Sequence, residues 1–195
     1  MEIYLMRHSS VQNPKKLCYG QSEIKLADDW EADFLALKKN FGSDFSGCKF
    51  YSSPYQRCTQ LAGFFSGDCF QIDERLSEIN FGNWEQCKWT DIDQMVLNEW
   101  MADFVNYKVP GGESFKIMHQ RCIQFWNELT SNTLHEKIVI STHAGVIRSL
   151  LAYVLCIPLD KAFHLEIDYC SITKITIARQ PDYFETVKYI NRIPR

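Results

Sequence analysis

The chain has 195 residues, 46% of them hydrophobic and 23% charged, with a formal net charge of -3. These proportions fit an ordinary globular protein with a substantial core and exclude the global basic field of a nucleic-acid binder. No run approaches the about 18 apolar residues of a membrane span, and the opening Met-Glu-Ile-Tyr lacks the basic and apolar regions of a signal peptide, so a cytoplasmic location is expected.

Short apolar or β-branched runs predict a strand at 2–7, followed by a helix at 28–40 with Trp30, Phe34, Leu35 and Leu37 apolar. A strand at 48–52 leads into a helix at 54–66, for which Ser53 is the candidate N-cap and Pro54 the first helical position. After a strand at 69–72 the stretch 77–110 loses regularity, is rich in Trp, Asn and Asp, and reads as a lid or insertion. A helix is predicted at 112–131, where Phe115, Met118, Cys122, Phe125, Trp126 and Leu129 recur at helical spacing. A strand at 137–142 precedes a nearly all-apolar helix at 145–156, ended by Pro158. Strands at 171–178 and 184–190 have no helix between them and are expected to turn at Gln180-Pro181-Asp182 as an antiparallel pair. The alternation predicts a single α/β domain over 1–195: a three-layer sandwich with a mostly parallel sheet, an antiparallel edge and helices on both faces. The eight cysteines show no CxxC pair or metal-ligand spacing and are expected to be reduced, mostly structural thiols.

Ligands of open α/β sheets bind beyond the carboxyl ends of strands, and five segments sit where such a crevice needs them. Arg7-His8 leaves the first strand: arginine offers a planar fork for two phosphate oxygens, and neutral histidine offers a nitrogen that can attack phosphorus. Ser52-Ser53-Pro54-Tyr55-Gln56-Arg57 runs from a strand into a helix start, which favours anions. Leu76 to Glu85 carries two carboxyl groups, Glu78 and Glu85, either of which could protonate a leaving alkoxide. Pro110-Gly111-Gly112-Glu113-Ser114 opens the long helix, and Glu113 could orient an arginine or histidine of the pocket. His143-Ala144-Gly145 leaves a buried strand with small residues that let backbone N–H groups approach an anion.

In this order, the segments RH, SSPYQR, LSEINFGNWE, PGGES and THAGVIRSLL resemble the histidine phosphatase, or phosphoglycerate mutase-like, superfamily from Ile3 to about Ile177. The resemblance implies that His8 is the nucleophile and becomes phosphohistidine. It implies that Arg7, Arg57 and His143 hold the phosphoryl oxygens, and that Glu78 is first the general acid and then the base. It implies no metal or other cofactor, because arginines and histidines supply the positive charge. The expected partner is a small-molecule phosphate ester rather than nucleic acid or a membrane. Leu17 to Leu26 resembles the CYG loop of the alpha-ribazole phosphatase branch, which would place Tyr19, Gly20 and Gln21 in the phosphate pocket or at the substrate entrance, with Ala144 and Glu113 as further binding residues.

The resemblance therefore points to alpha-ribazole 5'-phosphate as substrate. Alternatives are a broad-specificity phosphatase on sugar or other small phosphate esters, a phosphoglycerate mutase, and a non-catalytic phosphate-binding module. Mutases of the superfamily are longer, and non-catalytic descendants lose the nucleophile or the acid. The chain departs from the usual pattern at Ser9 and Ala144, where glycine is common, at Glu23 for aspartate, at Lys25 for proline and at Gln86 for glycine. Tyr19, Trp84, Trp89, Trp100 and Phe104 are candidates to flank a flat base, or else to serve as core aromatics.

Overall fold

In the computed structural model, which describes residues 1–42, 44–132, 134–178 and 183–194, the first strand, β1 (Glu2–Arg7), is buried on both faces. Alternate side chains on a strand point to opposite faces. Ile3 and Leu5 pack with α4 (Phe115–Asn132) and α5 (Ala144–Val154). Tyr4 and Met6 pack with α1 (Trp30–Phe41) and with Leu61 of α2 (Gln56–Ser66). This two-sided burial explains why the strand reads as an unbroken apolar run.

The six strands follow the order β3-β2-β4-β1-β5-β6, where β2 is Lys49–Ser52, β3 Phe70–Ile72, β4 Lys137–Thr142, β5 Ile172–Ala178 and β6 Phe184–Arg192. β3, β2, β4 and β1 are parallel, while β5 and β6 form the antiparallel edge. The register carries the functional consequence. Arg7 pairs with Thr142 and Ser52 with Ser141, so β1, β4 and β2 end together. The next residues, His8, His143 and Ser53, emerge side by side; His8 N donates to Thr142 O at 3.2 Å and Ser53 N to Ser141 O at 3.0 Å.

Two local expectations need correction. The second helix starts at Gln56, not at Pro54, and Ser53 does not cap it. Ser53 Oγ is taken by His143, and the Glu23 carboxylate instead accepts from Gln56 N at 3.1 and 3.2 Å. The long helix starts at Phe115, because residues 110–114 form a turn in which Gly111 has φ +73° and Glu113 N donates to Asn80 O. The 77–110 stretch contains a helix, α3 (Gln94–Ala102), and packs around its own small core of Cys18, Trp84, Ile92 and Val109. The expected turn at Gln180-Pro181-Asp182 lies outside the described residues. All eight cysteines are free, and no described helix is long and apolar enough to cross a membrane.

Candidate active site

His8 is 2% exposed, and its Nδ1 lies 2.7 Å from the carbonyl oxygen of Ser9. A carbonyl only accepts, so Nδ1 carries the proton and Nε2 keeps its lone pair. Burial, then the charges of Arg57 and Arg7, hold the imidazole well below its usual value of 6.5. The ring is therefore neutral at physiological pH and presents a bare nitrogen. Ser9, where glycine was the usual residue, lies outside the left-handed region, so its Cβ costs no backbone strain. Its hydroxyl donates to Asp33 of α1.

The arginines are held by neutral groups. Arg57, fully buried in the first turn of α2, donates to Ser22 O at 2.9 Å and Gly20 O at 2.5 Å. Its Cζ lies 4.7 Å from the Tyr55 ring. Arg7 donates to Ile167 O at 2.5 Å and lies over Tyr169. Among the described residues neither arginine pairs with a carboxylate, and the Nε of each is buried without a hydrogen-bond partner. An unpaired buried donor costs of order 1–3 kcal/mol, and a charged one costs more. Two such donors beside His8 suit an incoming anion.

His143, at the β4 exit, is buried, with Nε2 2.7 Å from Ser53 Oγ and its ring 5.2 Å from that of His8. Burial, then Arg57, His8, Arg7 and Arg121, also push its pKa well below 6.5. Ala144 and Gly145 open α5, and Gly145 N donates to Glu78 Oε2 at 3.0 Å. A side chain at position 145 would collide with the Glu78 carboxyl, so the glycine is what admits Glu78 to this helix start. Glu78 Oε1 accepts from Ile79 N at 2.9 Å.

The structure separates the two candidate acids. Glu78 lines the cavity that contains His8 and His143. Glu85 is instead saturated by its own protein: its oxygens accept from the amides of Gly20, Gln21, Ser22 and Phe81 and from the Ser22 hydroxyl. It staples the 19–22 loop. Gly20 and Gln21 thus belong to the frame rather than to the cavity wall. Gly20 has no room for a Cβ against Ile79 O, and Gln21 Nε2 donates to Glu78 O at 3.1 Å. Glu113 also lies outside the cavity lining. It pairs with Arg121 at 2.6 Å, and Arg121 donates to the carbonyls of Arg75, Ser77 and Glu78, so Glu113 braces the segment that carries Glu78. Tyr19 and Ala144 do line the cavity.

That cavity, about 230 Å³, is walled by Phe81, Phe115, Phe163, Ile79 and Arg148 beyond Arg7, His8, Tyr19, Glu78 and His143, while Arg57 lies behind its lining. A larger one, about 680 Å³, lies elsewhere at Tyr51, Asp73, Arg75 and Glu128, but its arginine is already paired with both carboxylates. Of the five aromatics proposed to flank a base, only Tyr19 lines the His8 cavity. Trp84 and Trp89 pack on Trp100 in the small core of the 77–110 segment, and Phe104 packs against Phe115 and edge-on to Phe163. Arg148 was not anticipated. It donates to Leu165 O at 2.8 Å, lies 5.0 Å from the Phe163 ring, and has its pKa lowered by burial. The signal was present: it is the only charged residue of α5 and stands four positions after Ala144, on the same helix face.

A neutral buried imidazole among guanidiniums, with a carboxyl group across the cavity, at the carboxyl edge of a mostly parallel sheet, defines a phosphatase-type site. The family model of the histidine phosphatase superfamily (branch 1) matches residues 3–190, and the chain belongs to that superfamily; it is a phosphatase. It is 27% identical to the adenosylcobalamin/alpha-ribazole phosphatase of Escherichia coli strain K12 over 98% of this chain and 96% of that protein. It is 25% identical to a metal-independent phosphoserine phosphatase of Arabidopsis thaliana, over 76% of this chain and 66% of that one. The crystal structure of the alpha-ribazole phosphatase of Shigella flexneri superposes with a TM-score of 0.89 at 25% identity, covering 98% of this chain and 96% of that chain.

Proposed function

We propose that the protein hydrolyses phosphomonoesters through a phosphohistidine at His8. The observation that carries this reading is the His8 tautomer: Nδ1–H is spent on the Ser9 carbonyl, leaving Nε2 as a lone pair beside two guanidiniums that pair with no carboxylate among the described residues. Nε2 attacks phosphorus as the bond to the leaving oxygen breaks, and Glu78 gives that oxygen its proton. Arg7 and Arg57 balance the charge on the three peripheral oxygens, and His143 serves them as a neutral hydrogen-bonding imidazole. Glu78, now a carboxylate, takes a proton from water, whose oxygen attacks phosphorus; the N–P bond breaks, releasing inorganic phosphate and neutral His8. Each Glu78 oxygen accepts one amide, which leaves a further lone pair on each for the transferred proton.

The substrate in this reading is alpha-ribazole 5'-phosphate. Supporting it are the alpha-ribazole phosphatases matched over nearly the whole chain, the CYG loop, and the aromatic side of the cavity formed by Tyr19, Phe81, Phe115 and Phe163. Rapid quenching with a radiolabelled ester should trap an acid-labile phosphoenzyme, and His8→Ala should abolish it and cut turnover by roughly three orders of magnitude or more. Undiminished turnover by that variant would end the mechanism. For the substrate, kcat/KM on alpha-ribazole 5'-phosphate should exceed that on phosphoserine, sugar phosphates and phosphoglycerates. Faster turnover of any of these would replace the substrate and leave the chemistry standing.

A further inference from the structure

Arg7 has little polar support beside His8. One amine donates to Ile167 O, and among the described residues Nε has no hydrogen-bond partner and no carboxylate pairs with the guanidinium. Its guanidinium lies over the ring of Tyr169, in the loop before β5. Arg7 Cζ lies 3.7 Å from the Tyr169 ring centroid, whereas the other cation–ring approaches among the described residues run from 4.7 Å at Arg57–Tyr55 to 5.9 Å at Lys49–Tyr51. The same ring packs on the nucleophile, its centroid 5.6 Å from that of His8. Its hydroxyl lies 3.0 Å from that of Tyr19, in the loop whose carbonyls hold Arg57. A carboxylate in this place would fix Arg7 equally well but would compete with phosphate for its charge. An aromatic face orients a guanidinium and leaves the charge available.

We propose that Tyr169 is a positioning residue for phosphate binding: its ring holds the Arg7 guanidinium in place beside His8. The inference rests on the reading of Arg7 as a phosphate ligand, and the two fail separately in one experiment. KM and kcat on 4-nitrophenyl phosphate and the inhibition constant of orthovanadate are measured for wild type, Tyr169→Phe, Tyr169→Leu, Arg7→Met and the double variant Arg7→Met/Tyr169→Leu.

Tyr169→Leu should raise KM and weaken vanadate together, each by roughly tenfold, with kcat within about threefold. Tyr169→Phe keeps the ring and should stay within about twofold of wild type on all three. In the Arg7→Met background, Tyr169→Leu should have no further effect on vanadate, because the tyrosine acts through the arginine. Equal losses for Phe and Leu, unchanged vanadate binding in Tyr169→Leu, or a Leu effect that persists without Arg7 would each overturn the inference. Wild-type vanadate affinity in Arg7→Met would instead remove the phosphate reading of Arg7 itself. Tyr169 is 36% exposed, so leucine is accommodated without a core cavity; if its melting temperature nevertheless falls, Tyr169→Met serves the same comparison.

Discussion

Arg57 and Arg75 both lie just beyond parallel strands, yet their surroundings are opposite. Arg75 is closed by Asp73 and Glu128 at 2.6 and 2.7 Å, and those carboxylates raise its pKa. Arg121 is likewise paired with Glu113. Among the described residues Arg57 and Arg7 are held by main-chain carbonyls and aromatic rings, and each keeps a buried Nε–H without a hydrogen-bond partner. The carboxylates follow the same division: Glu85 is consumed by five donors of its own chain, while Glu78 faces the cavity. Charge used for architecture is neutralised inside the protein; charge kept for a ligand is supported by groups that leave it intact.

The carboxylate pair gives the largest contrast. Glu78→Gln should slow hydrolysis of an alkyl phosphate by about a thousandfold. The first step should suffer much less with 4-nitrophenyl phosphate, whose leaving group needs no proton. Glu85→Gln should act through the 19–22 loop, lowering the melting temperature and raising KM for both esters alike. Steady-state kinetics on the two esters check this, and a leaving-group-dependent loss in Glu85→Gln would reverse the assignment.

The arginine pair comes next. Arg57→Met should lower kcat/KM by about a hundredfold. Arg75→Met should leave it within about twofold and cost no more than about 1 kcal/mol of stability, since its partners are partly exposed. Denaturant melts alongside kinetics separate the two effects; equal kinetic losses would dissolve the distinction between held and available charge.

The smallest effect is on stability against pH. His8 and His143 are held well below 6.5 in the folded chain, first by burial. Unfolded imidazoles protonate near about 6.5, so below that pH the unfolded chain binds more protons. The stabilisation is complete above it and is lost as pH falls toward the folded values, at up to about 1.4 kcal/mol per pH unit for each histidine. Urea midpoints from neutral pH downward should show that decline, and His143→Gln should flatten it. An unchanged slope in that variant would assign the acid sensitivity to other groups.

The strand exits were legible because a doubly buried strand must read as an apolar run, and a polar residue directly after it marks where the chain leaves the sheet. Arg7-His8 and His143 were readable in that way. At Gln86, where the resemblance leads one to expect glycine, φ is +65°, a conformation that glycine adopts without strain. Other assignments had no local signal. Ser53 has the spacing of an N-cap, but its hydroxyl is committed to a residue 90 positions away. Tyr169 sits in an irregular loop, and nothing near it in the chain indicates that it lies over Arg7.

Glu78 and Glu85 mark the boundary most clearly. Periodicity and local propensity determine strands, helices and their ends, because those depend on neighbours within a few residues. Residue type determines which chemistry is available. Which carboxyl faces His8 depends on the start of α5, the 19–22 loop and the absence of a side chain at Gly145, elements that come together only when the sheet closes. Hydrogen bonds and charges act through space, so the same residue type became a staple at one position and the candidate acid at the other.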